Sequence, residues 1–102
     1  KHGVAVDNID IPAATARRVP VLNTPGANAN AVAELVLCGM IALARRLPEA
    51  HGVVRGGGWQ RSSGLEIEGK TLGIVGLGNV GRILAAKAKA LAPWTSSPPI
   101  ST

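Results

Sequence analysis

The residues with the plainest chemical purpose are Gly76-Leu77-Gly78-Asn79-Val80-Gly81, a G-x-G-x-x-G. Alone, that pattern is weak. Here it follows the apolar run Leu72-Gly73-Ile74-Val75 directly and opens a stretch with helical periodicity, the context that a dinucleotide-binding turn requires. Each glycine then has its own mechanical task. Gly76 permits the tight turn, Gly78 lets a pyrophosphate approach the backbone because no Cβ stands in the way, and Gly81 lets the helix lie close on the strand. Free N–H groups near Asn79 and Val80 face the diphosphate, and the helix dipole favours its charge. The competing reading is a strand-to-helix turn of the same shape that holds no ligand.

No second constellation of reactive side chains accompanies the glycines. His2 precedes an apolar segment beside Lys1, and His51 falls on a short surface helix, so each reads as solvated or locally bonded. Asp7, Asp10, Glu34, Glu49, Glu66 and Glu68 read as turn, cap or surface groups. The single cysteine, Cys38, forms neither an intramolecular disulfide nor a cysteine-based metal site, and its apolar surroundings predict a buried, inert thiol. The net charge of +5 raises nucleic acid as a partner. The basic residues are scattered, however, and only Trp59 and Trp94 are aromatic, which leaves no stacking platform. The run from Leu35 to Ala44 is interrupted by Gly39 and is too short to span a bilayer, and nothing resembles a signal peptide. The expectation is a soluble cytoplasmic protein with no nucleic-acid or membrane partner.

The elements that must position the glycines alternate in type. Residues 3–6 predict a short buried strand, and Asp10 with Pro12 predicts the start of a helix over residues 11–17. A second strand is expected at 19–22, closed by the turn Asn23-Thr24-Pro25-Gly26. A long helix from about Asn30 to Arg46 follows, with Val32, Leu35, Val36, Met40, Leu43 and Leu47 at helical spacing and Arg45 and Arg46 in its last turn. Pro48 opens another helix to Arg55, which Gly56-Gly57-Gly58 ends. After an irregular connector, residues 71–75 predict a third strand and residues 79–91 the last helix. Its face is Val80, Ile83, Leu84, Lys87, Ala88 and Leu91, with Lys87 the odd member. The order β-α-β-α-α-β-α predicts an α/β protein with parallel sheets. One part of a nucleotide fold is missing. An acidic residue belongs roughly 20 positions after the glycines to hold the ribose hydroxyls. None of the residues after Gly81 is acidic.

Four ordered motifs, Gly3-Val4-Ala5-Val6-Asp7-Asn8-Ile9-Asp10, Asn23-Thr24-Pro25-Gly26, Ala31-Val32-Ala33-Glu34 and the run from Gly69 to Gly78, give the chain its family likeness. Over nearly its whole length it resembles the D-isomer-specific 2-hydroxyacid dehydrogenases, the group that includes phosphoglycerate, glycerate and hydroxypyruvate dehydrogenases. The resemblance implies homodimers with a flavodoxin-like substrate domain and an inserted Rossmann-type NAD domain. On that footing residues 1–27 are the end of the substrate domain. Residues 28–92 are the start of the NAD-binding domain, its first β-α unit, together with the interdomain and dimer helices. Asn79 and Val80 match positions that meet the diphosphate of NAD, Val4 matches a position near the nicotinamide, and Asn23 lies on the substrate side of the cleft. The family transfers a hydride between NAD and a 2-hydroxy or 2-oxo acid. It uses an arginine for the substrate carboxylate and a histidine, paired with a glutamate, as general acid/base. Those three lie downstream of the glycine motif, so the chain carries no catalytic residue.

Two departures stand out. Ala5 occupies a position where the family usually has glycine. After Leu91, Ala92-Pro93-Trp94 replaces the expected second strand, and residues 93–102 read as a disordered, aberrant tail. Shifting the frame by two bases lets Pro93 to Ile100 encode Met-Asp-Val-Leu-Ala-Ala-Asp, an Asp-ended strand. A frameshift product is therefore expected, and codons that give no such run would refute it. As written, the chain is expected to be an inactive fragment of an oxidoreductase. The alternatives are a non-catalytic NAD-binding module that regulates partner association and a non-functional truncation product.

Overall fold

Capping chemistry sets where the first helix begins. The computed structural model describes residues 1–91. In it, α1 (Ile11–Ala16) starts where Asp10 Oδ1 accepts the Ala13 N–H at 3.0 Å, with Pro12 in the first turn. It stops one residue before the predicted end. Arg18 enters the left-handed region at φ 55°, and the N–H groups of Arg18 and Val19 reach back to the carbonyls of Thr15 and Ala14. This pair of bonds closes a helix end, usually around glycine. Because α1 buries no residue, it depends on its cap. Asp10→Ala is expected to cost about 1 kcal/mol of local stability and to speed amide exchange at Ala13 about five-fold. An unchanged exchange rate by NMR would show that the cap carries no weight.

The long helix α2 (Ala29–Ala44) ends two residues earlier than its apolar pattern predicts. Arg45 becomes the C-cap, and Arg46, at φ 53°, turns the chain into α3 (Leu47–Arg55). The basic pair thus makes a corner instead of extending the last turn. The connector after α3 is seated on this corner. Leu65 N–H donates to the Ala44 carbonyl at 2.8 Å, and a Cβ on Gly64 would lie 2.8 Å from that same oxygen. The last helix, α4 (Asn79–Leu91), has the predicted bounds.

The three predicted strands do not form as strands among the described residues. A strand is defined by ladder bonds to a neighbour, and among the described residues none of the three segments has a regular one, Gly73 alone making a single bridge. Residues 1–4 do lie beside 22–24, with Lys1 N donating to the Leu22 carbonyl at 2.7 Å and Thr24 N to that of Gly3 at 2.9 Å. The Gly3 N–H, however, is taken by the Thr24 hydroxyl, which interrupts the ladder. Nor is the first segment buried, since Val4 is 49% exposed. Residues 71–75 keep the side-chain alternation of a strand, with Leu72 and Ile74 turned inward and Val75 wholly exposed.

The core lies between α2, α4 and Ile74. Ala33, Ile74 and Leu84 are buried together, and Leu37, Leu72, Val80, Ile83 and Ala85 pack around them. The inward stripe of α2 is therefore Ala29, Ala33 and Leu37, not the larger residues that its periodicity favours. Leu35 and Leu43 face outward at 69% and 77% exposure. Lys87, the odd member of the α4 face, lies 3.6 Å from Glu34 on α2, and Glu34 also accepts from Asn30 Nδ2 at 3.1 Å. Cys38 is exposed, contrary to expectation: it lies on α2 outside the Ala29–Ala33–Leu37 stripe, the side that α4 covers. The molecule is a plate, 61 × 43 × 16 Å. Its radius of gyration of 19.8 Å exceeds the ~13 Å of a compact chain of this size. Among the described residues no helix is long and apolar enough to cross a membrane. The predicted tail, residues 93–102, lies outside the described residues.

Candidate functional site

The extended residues 71–75 deliver the chain to the glycine turn, and α4 leaves it. At Gly76 φ is +94°, a backbone conformation that side chains with a Cβ rarely adopt, so the turn needs glycine there. Gly81 is buried one helical turn on. A Cβ at that position would overlap the Gly76 carbonyl oxygen and touch Ile74 Cγ2 at 3.6 Å. The helix therefore lies on the turn with no space for a methyl group. Gly78 differs from both. A Cβ there would meet nothing within 4 Å, so no protein atom explains why the position is bare. Its carbonyl accepts the Arg82 N–H at 3.0 Å and starts the α4 ladder. The N–H groups of the first turn that follow have no intrahelical carbonyl to bond, and they carry the positive end of the helix dipole.

Beside this turn is a cleft of about 380 Å³. Val4, Gly76, Gly78, Asn79, Val80 and Gly81, which the sequence singled out from two separate stretches, all line it. Three further residues complete the wall: Gly26, Asn28 and Ala29. By residue type Gly26 belongs only to the turn Asn23-Thr24-Pro25-Gly26, and the apolar pattern starts the long helix only at about Asn30. The overlooked signal is Asn28 itself, an asparagine at the N-cap of α2 whose side chain makes no capping bond. Two helix starts, those of α2 and α4, thus border one opening.

Asn23 does not line the cleft. Its Nδ2 donates to the Val4 carbonyl at 2.8 Å, so it reaches the opening only through Val4. His2 and His51 are exposed and take no part in it. No titratable side chain is among the lining residues, and no group of three His, Cys, Asp or Glu residues suited to a metal ion occurs among the described residues. The arrangement can hold an anion against backbone N–H groups. It has no side chain to give or take a proton. Glycine where a Cβ would find open space, at the start of a helix, is the fit expected of a diphosphate cradle.

The comparisons with known proteins agree with this geometry. D-3-phosphoglycerate dehydrogenase of Archaeoglobus fulgidus is 48% identical over 93 residues, which cover 89% of this chain and 18% of that enzyme. A solved D-isomer specific 2-hydroxyacid dehydrogenase of Polaromonas, described as putative and NAD-binding, superposes with a TM-score of 0.80 at 34% identity. It covers 87% of this chain and 30% of that one. The NADPH-dependent glyoxylate/hydroxypyruvate reductase of Sinorhizobium meliloti, solved with NADP and malonate, gives a TM-score of 0.67 at 33% identity over 86% of this chain and 29% of its own. The chain thus spans less than a fifth of the length of the curated relative. Residues 37–93 match the model of the D-isomer specific 2-hydroxyacid dehydrogenase NAD binding domain. With the glycine turn, the helix it starts and the matched segment, that family's NAD binding domain, all within one stretch, this chain belongs to the D-isomer-specific 2-hydroxyacid dehydrogenases.

Proposed function

We propose that this chain supplies the diphosphate-binding turn of an oxidoreductase that transfers a hydride between NAD and a D-2-hydroxy acid or its 2-oxo acid. The observation that carries the reading is Gly78, bare with nothing in the protein to require it, at the start of a helix and at the edge of a cleft. In this reading residues 1–27 close a flavodoxin-like substrate domain. Residues 28–92 begin the Rossmann-type domain with its first β-α unit, and α2 joins the two. The cofactor, when bound, supplies the hydride chemistry. Backbone groups of residues 78–80 hold its phosphates, and Val4 forms part of the wall across the cleft. The arginine, histidine and glutamate of the reaction lie outside these residues, so the chain binds without turning over substrate.

The exposed apolar side chains of α2, α3 and the connector after them, among them Leu35, Leu43, Val54 and the 90% exposed Trp59, support their use as the contact of a homodimer. The test of the binding reading is a fluorescence titration of the 102-residue chain with NADH. Saturable enhancement of nicotinamide emission is expected, and its absence at millimolar ligand would overturn the reading. Running NADPH in parallel decides between the two cofactors.

A further inference from the structure

We propose that Asn23 and Thr24 are positioning residues for the cofactor, which set its affinity without touching it. This rests on the reading of the cleft as a dinucleotide site. Val4 is the one residue of the first ten to line the cleft. What holds it there is unusual for an exposed segment. Gly3, just before it, has φ +116°, although a Cβ at Gly3 would meet nothing within 4 Å. Glycine is needed for the backbone path itself, not for space.

That path is gripped from one side. Thr24 N–H donates to the Gly3 carbonyl at 2.9 Å. The Thr24 hydroxyl accepts the Gly3 N–H at 2.8 Å and lies 3.4 Å from the Gly3 carbonyl. Asn23 Nδ2 then takes the Val4 carbonyl at 2.8 Å. Both polar backbone groups of Gly3 and the carbonyl of Val4 are thus committed to two consecutive residues. The same turn continues to Gly26, where a Cβ would lie 3.7 Å from Asn79 Nδ2, and to Asn28 on the cleft wall. Residues 23–28 therefore form a bracket, with Val4 held at one end and the start of α4 against the other. The gap between Val4 and the glycine turn is set by this bracket. A dinucleotide whose diphosphate rests on the turn passes one of its halves through that gap, whereas ADP, which ends at the diphosphate, does not need the wall.

The experiment uses the full 102-residue chain with NADH and, separately, ADP as probes. Asn23→Ala and Thr24→Val are each expected to weaken NADH about 3- to 10-fold, the size of one or two lost hydrogen bonds. They are expected to shift the emission maximum of bound NADH and to leave ADP within about two-fold. Thr24→Ser, which keeps the hydroxyl, is expected to restore wild-type NADH binding. Amide exchange at Gly3 should accelerate in Thr24→Val, showing directly that the grip has opened. Unchanged NADH affinity in both variants despite faster Gly3 exchange would overturn the assignment, and so would equal weakening of NADH and ADP. Wild-type chain that binds neither probe would instead overturn the dinucleotide reading itself, and this assignment with it.

Discussion

Gly81→Ala is expected to abolish the cooperative thermal unfolding transition of the chain. In most helices that change stabilises by about 1 kcal/mol, because alanine is the better helix former. Here the added methyl group would overlap the Gly76 carbonyl oxygen, and that oxygen belongs to a backbone already held at φ +94°. Neither partner is the end of a flexible side chain, so the helix must lift from the turn. Overpacking of this kind costs about 1–3 kcal/mol and at times more. Ile74 and Leu84, two of the four buried apolar residues among those described, would be pried apart by that movement. A core this small has no reserve against such a loss. Circular dichroism melting checks the outcome. An undiminished transition would mean that α4 does not rest on the turn as described.

Gly78→Val is expected to act in the opposite way, with stability nearly intact and NADH binding weakened about 10- to 100-fold, the range set by losing hydrogen bonds to a charged group. Apart from its own chain neighbours nothing lies within 4 Å of the new Cβ, so the fold has little reason to object beyond a poorer helix start, up to about 1 kcal/mol. The branched side chain would occupy the space through which a phosphate reaches the backbone. The two glycines are three residues apart, yet one variant should fail in the melting experiment and the other in the titration. Retained NADH affinity in Gly78→Val would remove the central support for the cradle.

What the sequence disclosed and what it concealed divide along physical lines. The glycine turn and the bounds of α4 were legible because their causes are local: a positive φ, a missing Cβ, a run of good helix formers after Asn79. The cap at Asp10 was legible for the same reason. The inward face of α2 was not. That helix is apolar around most of its circumference, so periodicity favoured Leu35 and Leu43, while the packing chose Ala29, Ala33 and Leu37, where small side chains let α4 approach. Cys38 is exposed for the same reason, since apolar neighbours along the sequence do not show which side α4 covers. The strands were expected from apolar runs that do exist, but a run becomes a strand only through a neighbour's ladder. Residues 71–75 alternate as a strand does and carry a single bridge at Gly73, short of a regular ladder among the described residues. At the cleft, residue type and spacing pointed to the glycines, and the family resemblance to Val4. The bond from Asn23 to Val4 was hidden, because a side chain bonded to a distant carbonyl leaves no periodic trace.

Ala33 is wholly shielded and is the point where α2 meets Ile74 and Leu84, one helical turn below Ala29 at the mouth of the cleft. A methyl group has no rotamers and no room to yield. It behaves as a fixed gauge between the two helix beginnings, so their separation is governed from behind, by a residue outside the cleft lining, while residues 23–28 govern how far Val4 stands from the turn.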